Sequence, residues 1–255
     1  MRIRIIKSRT SVLGASIFFL ILIGLYLNRA YARIYDTIGG ANLTAVSSPA
    51  RFTVDIEGAT SSLNYVALGD SLSAGVGTEE AAASLPRLLA GKMLATRRDI
   101  NLENYAVPGY RTADLLISAL PNAIAARPDI ITVLIGVNDI HNQVAAAEFR
   151  KNYDLILKGL TTETAAKIYA INLPFIGAGR MMWPPYQFYF DARTREFNGI
   201  IRELAVKYQV SYIDLYTPTV SLFKKSGEHY SADLFHPSAA GYRIWADIIY
   251  DRFYH

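Results

Sequence analysis

The sequence predicts an α/β fold with a parallel sheet, carried behind one membrane-length apolar segment. Three observations lead there. From Leu63 onward, short apolar runs of strand length alternate with longer amphipathic stretches. Near the N-terminus, the charge-free run Ser11–Leu27 follows four basic residues. The composition is that of a packed chain, with 51% hydrophobic and 19% charged residues over 255 positions.

The N-terminal segment comes first in the chain. A helix of about 17 residues spans about 25 Å, slightly less than a hydrocarbon core of about 30 Å, and it spans with its flanks snorkelling. Arg2, Arg4, Lys7 and Arg9 should hold the N-terminus in the cytoplasm and place everything after Leu27 outside. A cleaved signal peptide is the competing reading, because Ala30-Tyr31-Ala32 has the small-x-small form of a cleavage site. The apolar run exceeds the usual h-region of about 7–15 residues, and Arg29 interrupts the approach to the site; both favour an uncleaved anchor. Under either reading the rest of the chain is exported. The expected organisation is a basic tail over 1–10, an anchor or signal over 11–27, a linker over 28–62 and a catalytic-sized domain over 63–255.

The linker carries Gly39-Gly40, Ser47-Ser48-Pro49 and Gly58 without sustained periodicity, and a short strand is expected at Arg51–Ile56. Beyond it the expected strands are Tyr65–Leu68, Leu102–Ala106, Ile130–Ile135, Lys167–Asn172 and Val210–Asp214. Helices are expected at Leu85–Thr96, Thr112–Ala126, Phe149–Thr162, Arg193–Lys207 and Ser238–Phe253. Such alternation argues for a parallel sheet covered on both faces. Ligands then bind at the carboxyl ends of the strands, so functional residues should follow strands.

Charge and cysteine content exclude several classes. Without the four N-terminal basic residues the chain holds 22 basic and 22 acidic residues, so its net charge of +4 points to no nucleic-acid partner. With no cysteine, disulfides, thiolate metal sites and a cysteine nucleophile are excluded together.

Four blocks carry chemistry. After the first predicted strand comes Gly69-Asp70-Ser71-Leu72-Ser73-Ala74-Gly75, where a serine on a strand-to-helix turn can expose its hydroxyl and aim its N–H at a developing oxyanion. After the second comes Asn104-Tyr105-Ala106-Val107-Pro108-Gly109, in which Gly109 can offer an unobstructed N–H. After the third comes Gly136-Val137-Asn138-Asp139, whose Asn138 amide can donate to an oxyanion. In isolation Ser71 also fits a helix N-cap, Gly109 a plain turn and Asn138 an Asx turn. Near the C-terminus comes Asp233-Leu234-Phe235-His236-Pro237. Here a histidine can take a serine proton, and a carboxylate three residues earlier can orient it. Of the four histidines, His229 lies in a polar loop, His255 is terminal, and His141 lacks the carboxylate spacing of His236.

These blocks, in this order, resemble the SGNH hydrolase superfamily of GDSL-type esterases and lipases. The matching text is GDSLSAGVG at 69–77, NYAVPGYRTADLL at 104–116, GVND at 136–139 and DLFHPSAAGYRIWADII at 233–249, with Asn172-Leu173-Pro174 also similar. The resemblance covers about Asn64 to Tyr250. It implies a three-layer α/β/α sandwich with a five-stranded parallel sheet of flavodoxin-like form. It implies Ser71 as nucleophile, His236 as base and Asp233 as its orienting partner. It also implies an oxyanion hole of the Ser71 and Gly109 N–H groups and the Asn138 side chain. Asp70 and Asp139 are read as structural. The reaction needs no metal or organic cofactor, and the expected partners are a small-molecule or lipid ester and the membrane.

Other readings are weighed against this one. A nucleotide-binding fingerprint at Gly75-Val76-Gly77 fails because Glu80 stands where a third glycine belongs. A non-catalytic domain of the same fold has no reason to keep Ser71, Asn138 and His236 together. An acetyl esterase acting on cell-envelope carbohydrate is the main alternative to a lipid or simple acyl esterase. Arg111 is a candidate contact for an anionic substrate group, although a solvated arginine is the better explanation. The aromatic segment Met181–Phe190 is either packing under a long loop or an acyl-binding or membrane-facing surface.

Overall fold

A computed structural model describes residues 2–39, 50–78, 81–176, 181–223 and 227–253. Gly40 and Ser47–Pro49 of the expected linker, Glu80 and His255 lie outside the described residues. In chain order the strands are β1 (Ala50–Val54), β2 (Ser62–Gly69), β3 (Asp99–Asn104), β4 (Ile130–Leu134), β5 (Lys167–Ile171) and β6 (Ser211–Ile213). The helices are α1 (Arg2–Gly39), α2 (Ser71–Ala74), α3 (Leu85–Met93), α4 (Thr112–Asp114), α5 (Leu120–Ala125), α6 (Val137–His141), α7 (Ala146–Glu163), α8 (Tyr186–Lys207), α9 (Tyr216–Phe223) and α10 (Ala239–Tyr250). A π turn at Leu115–Ala119 joins α4 to α5 in one continuous helix.

The sheet order is β1-β3-β2-β4-β5-β6. The last five strands run parallel, as expected, but the sheet has six strands because β1 pairs antiparallel with the outer edge of β3, Ala50 opposite Asn104 and Val54 opposite Ile100. The short strand expected near Arg51 therefore belongs to the sheet and caps an edge that would otherwise leave backbone groups unpaired. All five residues of β4 are buried, which requires cover on both faces. The cover comes from helices that pack in pairs, α3 with α10 and α7 with α8. Strand order reverses between β2 and β4, and the crevice for a ligand opens there, at their carboxyl ends.

Most boundaries fall within a few residues of expectation, with informative exceptions. β3 starts at Asp99, and its alternating burial follows Ile100, Leu102 and Asn104, so Tyr105 and Ala106 belong to the turn beyond. α8 starts at Tyr186 and absorbs half of the aromatic segment. Asn172, next to β5, ties that strand to the chain after β6. Its Oδ1 accepts from the N–H groups of Leu215 (2.6 Å) and Tyr216 (2.9 Å), and its Nδ2 donates to Asp214 Oδ1 at 2.9 Å.

α1 extends well past Leu27, so the first part of the expected linker is helix. Its two halves differ. Every described residue from Val12 to Tyr26 is exposed, including Phe18, Phe19 and Leu20. From Leu27 on, one face turns inward: Ala30 and Ile34 are fully buried, and Leu27 and Thr37 are half-buried. That 3-4-3 spacing is one stripe of a helix docked on the domain. Among the described residues α1 is the one helix long and apolar enough to cross a membrane, by length and composition.

Because Asn172→Ala strands the buried N–H of Leu215 and the half-buried one of Tyr216, it should lower stability by about 2–3 kcal/mol. Thermal unfolding of the full chain in detergent should show this as a fall in Tm of about 4–10 °C.

Candidate active site

Ser71 is the first residue of α2, directly beyond β2, and only 7% exposed. Asp70 caps that short helix, its Oδ1 accepting the Leu72 N–H at 3.0 Å. The turn thus fixes where the Ser71 hydroxyl points. The hydroxyl meets His236 Nε2 at 2.9 Å, although the two residues are 165 positions apart. On the other side of the imidazole, Nδ1 lies 2.6 Å from Asp233 Oδ2.

The loop that presents His236 is organised around Asp233. Its Oδ1 accepts from Ser231 Oγ (2.7 Å) and from the backbone N–H groups of Phe235 (2.8 Å) and His236 (2.9 Å). Burial pushes the Asp233 carboxyl up. The His236 hydrogen bond and charge, with the Ser231 and backbone donors, outweigh burial and hold it at about 2. Asp233 is therefore a carboxylate at neutral pH. A carboxylate bonded to an imidazole whose other nitrogen meets a hydroxyl is an arrangement that can draw a proton from that hydroxyl.

Gly109 and Asn138 line a pocket of about 250 Å³ together with Ser71 and His236. Gly109 has φ +86°, a left-handed conformation that turns the chain after β3 without a side chain in the way. Asn138 sits in the first turn of α6, and its Nδ2 donates to Tyr110 O at 3.0 Å, which fixes the amide plane. Of the five expected site residues, four line the pocket and Asp233 stands behind His236.

The structural reading of both motif aspartates fits their surroundings. Asp139 accepts from Thr112 N (2.9 Å) and Thr112 Oγ1 (2.5 Å), fastening α6 to α4. Burial raises the Asp139 carboxyl and, more strongly, that of Asp70, to about 7. Arg111, the candidate anion contact, instead pairs with Asp114 at 3.1 Å beside the start of α4 and does not line the pocket. The glycines of the Gly75-Val76-Gly77 run serve the backbone. Gly77 has φ +96°, and a Cβ there would lie 2.5 Å from Pro237 O and 2.8 Å from His236 Cβ.

Five pocket residues, Tyr35, Pro108, His141, Asn142 and Phe235, were not among the expected site residues. His141 follows Asn138 by three positions on α6 and lines the pocket, packed between Phe190 and Phe235. Neither of its ring nitrogens has a partner among the described residues, and burial, helped by His236, pushes it down to about 4, so it is neutral at pH 7. The helical spacing from Asn138 was the available signal. Phe235, inside the C-terminal block, forms a second apolar wall. Tyr35 of α1 forms another, and nothing in the sequence linked a residue so far upstream to the site. Among the described residues no group of three or more His, Asp or Glu is placed to hold a metal.

Comparison with known proteins decides the family. The profile of the GDSL-like lipase/acylhydrolase family matches residues 67–244, more than half of the chain. The chain belongs to that family. The GDSL-like chain is accordingly a serine ester hydrolase. Comparison with curated proteins by sequence finds no match. Among solved structures it is similar to an α/β-hydrolase enzyme from the metagenome of Lake Arreo, Spain, with 20% identity over 75% of this chain and 95% of that one, and a TM-score of 0.63. It is similar to a lipase/acylhydrolase from Enterococcus faecalis, with 23% identity, 74% and 94% coverage and a TM-score of 0.59. An acetylxylan esterase from Geobacillus stearothermophilus matches with 20% identity, 75% and 94% coverage and a TM-score of 0.60. At these identities the likeness establishes the fold.

Two outcomes follow for this GDSL-like hydrolase. Gly77→Ala should displace His236 from Ser71 and lower kcat by about 10- to 100-fold, read by steady-state ester hydrolysis. The second concerns Asp70, whose folded pKa of about 7 exceeds its reference value of 3.8. The stability tied to that proton is complete below about pH 4 and is lost as pH rises through about 7. Asp70→Asn keeps an acceptor for Leu72 and removes the titration. The Tm difference, variant minus wild type, should therefore grow from about pH 4 to about pH 8.

Proposed function

We propose that the protein cleaves carboxylic esters through an acyl-enzyme on Ser71. The hydrogen-bonded chain from Ser71 through His236 to Asp233, opening onto a pocket that also holds Gly109 and Asn138, carries this reading. His236 takes the Ser71 proton as the oxygen attacks the ester carbonyl. Asp233 holds the imidazole in the orientation required and stabilises its charged form. The tetrahedral oxyanion is met by the N–H groups of Ser71 and Gly109 and by the Asn138 amide. His236 then protonates the departing alcohol, leaving an ester on Ser71. Water, deprotonated by His236, attacks that ester and releases the acid, returning the proton to Ser71. These steps call on no metal or organic cofactor.

The substrates are lipid, lysophospholipid-like or simple acyl esters. Tyr35, Pro108 and Phe235 give the pocket apolar walls suited to an acyl chain. The second reading, an acetyl esterase of cell-envelope carbohydrate, draws on the fold shared with an acetylxylan esterase. The basic N-terminus and the exposed apolar half of α1 favour an anchored protein with its catalytic domain on the extracytoplasmic side.

Hydrolysis of a p-nitrophenyl ester series by the full chain in detergent tests both points. Ser71→Ala or His236→Ala should lower kcat by about a thousandfold or more. Asn138→Ala should cost roughly a hundred- to a thousandfold. Near-normal turnover in Ser71→Ala would remove the assignment. Activity confined to the acetyl ester would favour the carbohydrate reading, and activity on longer chains the lipid one.

A further inference from the structure

We infer that α1 is a working part of the active site: it forms one wall of the pocket through Tyr35 and leads a membrane-held acyl ester from the bilayer surface to Ser71. This deepens the esterase reading and rests on it.

The position of the pocket relative to the membrane follows from α1 itself. The helix is exposed and apolar from Val12 to Tyr26 and docks on the domain from Leu27, so the boundary between lipid and protein contact falls between Tyr26 and Leu27. Phe18, Phe19, Leu20 and Ile21 point in different directions around the helix and all are exposed, so this half is apolar all round, and its suitable solvent is hydrocarbon. The domain reaches down to that boundary, since the Tyr26 hydroxyl donates to Pro184 O at 2.8 Å and the Tyr26 and Trp183 rings stack at 6.1 Å. Tyrosine and tryptophan at this height match the aromatic belt of a membrane interface. Tyr35 lies eight residues above Leu27, about 12 Å along the helix axis. The mouth of the pocket therefore stands a few ångströms beyond the headgroup layer, which adds about 5–8 Å on each side of the hydrocarbon.

Aromatic rings connect the two levels. Above the Tyr26–Trp183 stack, the Tyr31 ring lies 5.6 Å from that of Tyr186 and 4.8 Å from that of Tyr35. The Tyr31 hydroxyl donates to the Tyr35 hydroxyl at 3.0 Å, holding Tyr35 at the pocket. An acyl chain leaving the bilayer thus meets the rings of Tyr31 and Tyr35 before the pocket that Ser71 lines. A water-soluble acetylated glycan would need no such track. The same contacts bear on processing: cleavage after Ala32 would remove the buried Ala30 and the Tyr31 ring and hydroxyl that hold Tyr35 in place.

The test uses the full chain reconstituted in phosphatidylcholine vesicles. One substrate is a fluorogenic dodecanoyl ester embedded in the vesicles, and the other is p-nitrophenyl acetate in the aqueous phase. The quantity read is the ratio of kcat/KM for the two, which does not depend on the active fraction. Wild type should favour the embedded ester. Tyr35→Ala, which removes the wall, and Ile34→Glu, which undocks α1, should each lower the ratio by about tenfold or more. Intact mass of the membrane-bound protein should include α1. An unchanged ratio in Tyr35→Ala, a wild-type preference for acetate, or a mature chain beginning after Ala32 would each overturn the inference while leaving the serine esterase in place. Absence of hydrolysis of both esters by wild type would instead overturn the esterase reading, and this inference with it.

Discussion

The contact between Ser71 and His236 is the constraint on which the rest of the structure depends. It joins segments 165 residues apart at 2.9 Å, a tolerance that only a rigid frame can hold. β2 delivers Ser71, and the segment before α10 delivers His236. Further ties hold the two segments together. The Tyr242 hydroxyl donates to Val76 O at 2.8 Å, in the core. Gly77 lets its backbone lie against His236 and Pro237. Tyr230 and Pro237 form an isolated β-bridge that closes the loop between them. Leu234 accepts a left-handed φ of +57°, a local cost met by the bonds that Asp233 gathers around it.

Electrostatics follow from the same packing. His236 and Asp233 are 2% and 8% exposed, and a carboxylate taken that far from water is tolerated only when its hydrogen bonds are made. Asp233 accepts bonds at both oxygens, so its charge is retained. His141, in the same pocket, has no carboxylate and is left neutral by burial. The carboxylate beside His236, which His141 lacks, separates the two histidines of the pocket.

Much of this was legible in the sequence, for identifiable reasons. The parallel strands announce themselves as short apolar runs because they are covered on both faces, as all of β4 is. Ser71, Gly109 and Asn138 could be placed because each directly follows a strand, where an open α/β sheet puts its ligand. The rest depended on distant contacts. β1 is a weak half-exposed strand whose pairing with β3 no local pattern specifies. Arg111 was left open because its partner, Asp114, is set by a helix start and not by the pocket. The docked half of α1 did leave a trace, the spacing Leu27, Ala30, Ile34, Thr37, but a search for a membrane span stops where the apolar run stops. Tyr35 lies beyond that point and reaches the site only through the fold. The aromatic segment Met181–Phe190 divides in the same way: Met181, Met182 and Phe190 are core, Trp183 and Tyr186 meet α1, and Phe188 and Tyr189 are exposed.

The most direct measurement of the central claim is the site of covalent capture. The full chain would be treated with a fluorophosphonate, digested and mapped by mass spectrometry, beside the His236→Ala variant. A single adduct on the peptide carrying Ser71, much slower to form in His236→Ala, is the result this account predicts. An adduct on another serine, or labelling of Ser71 at an undiminished rate without His236, would contradict it.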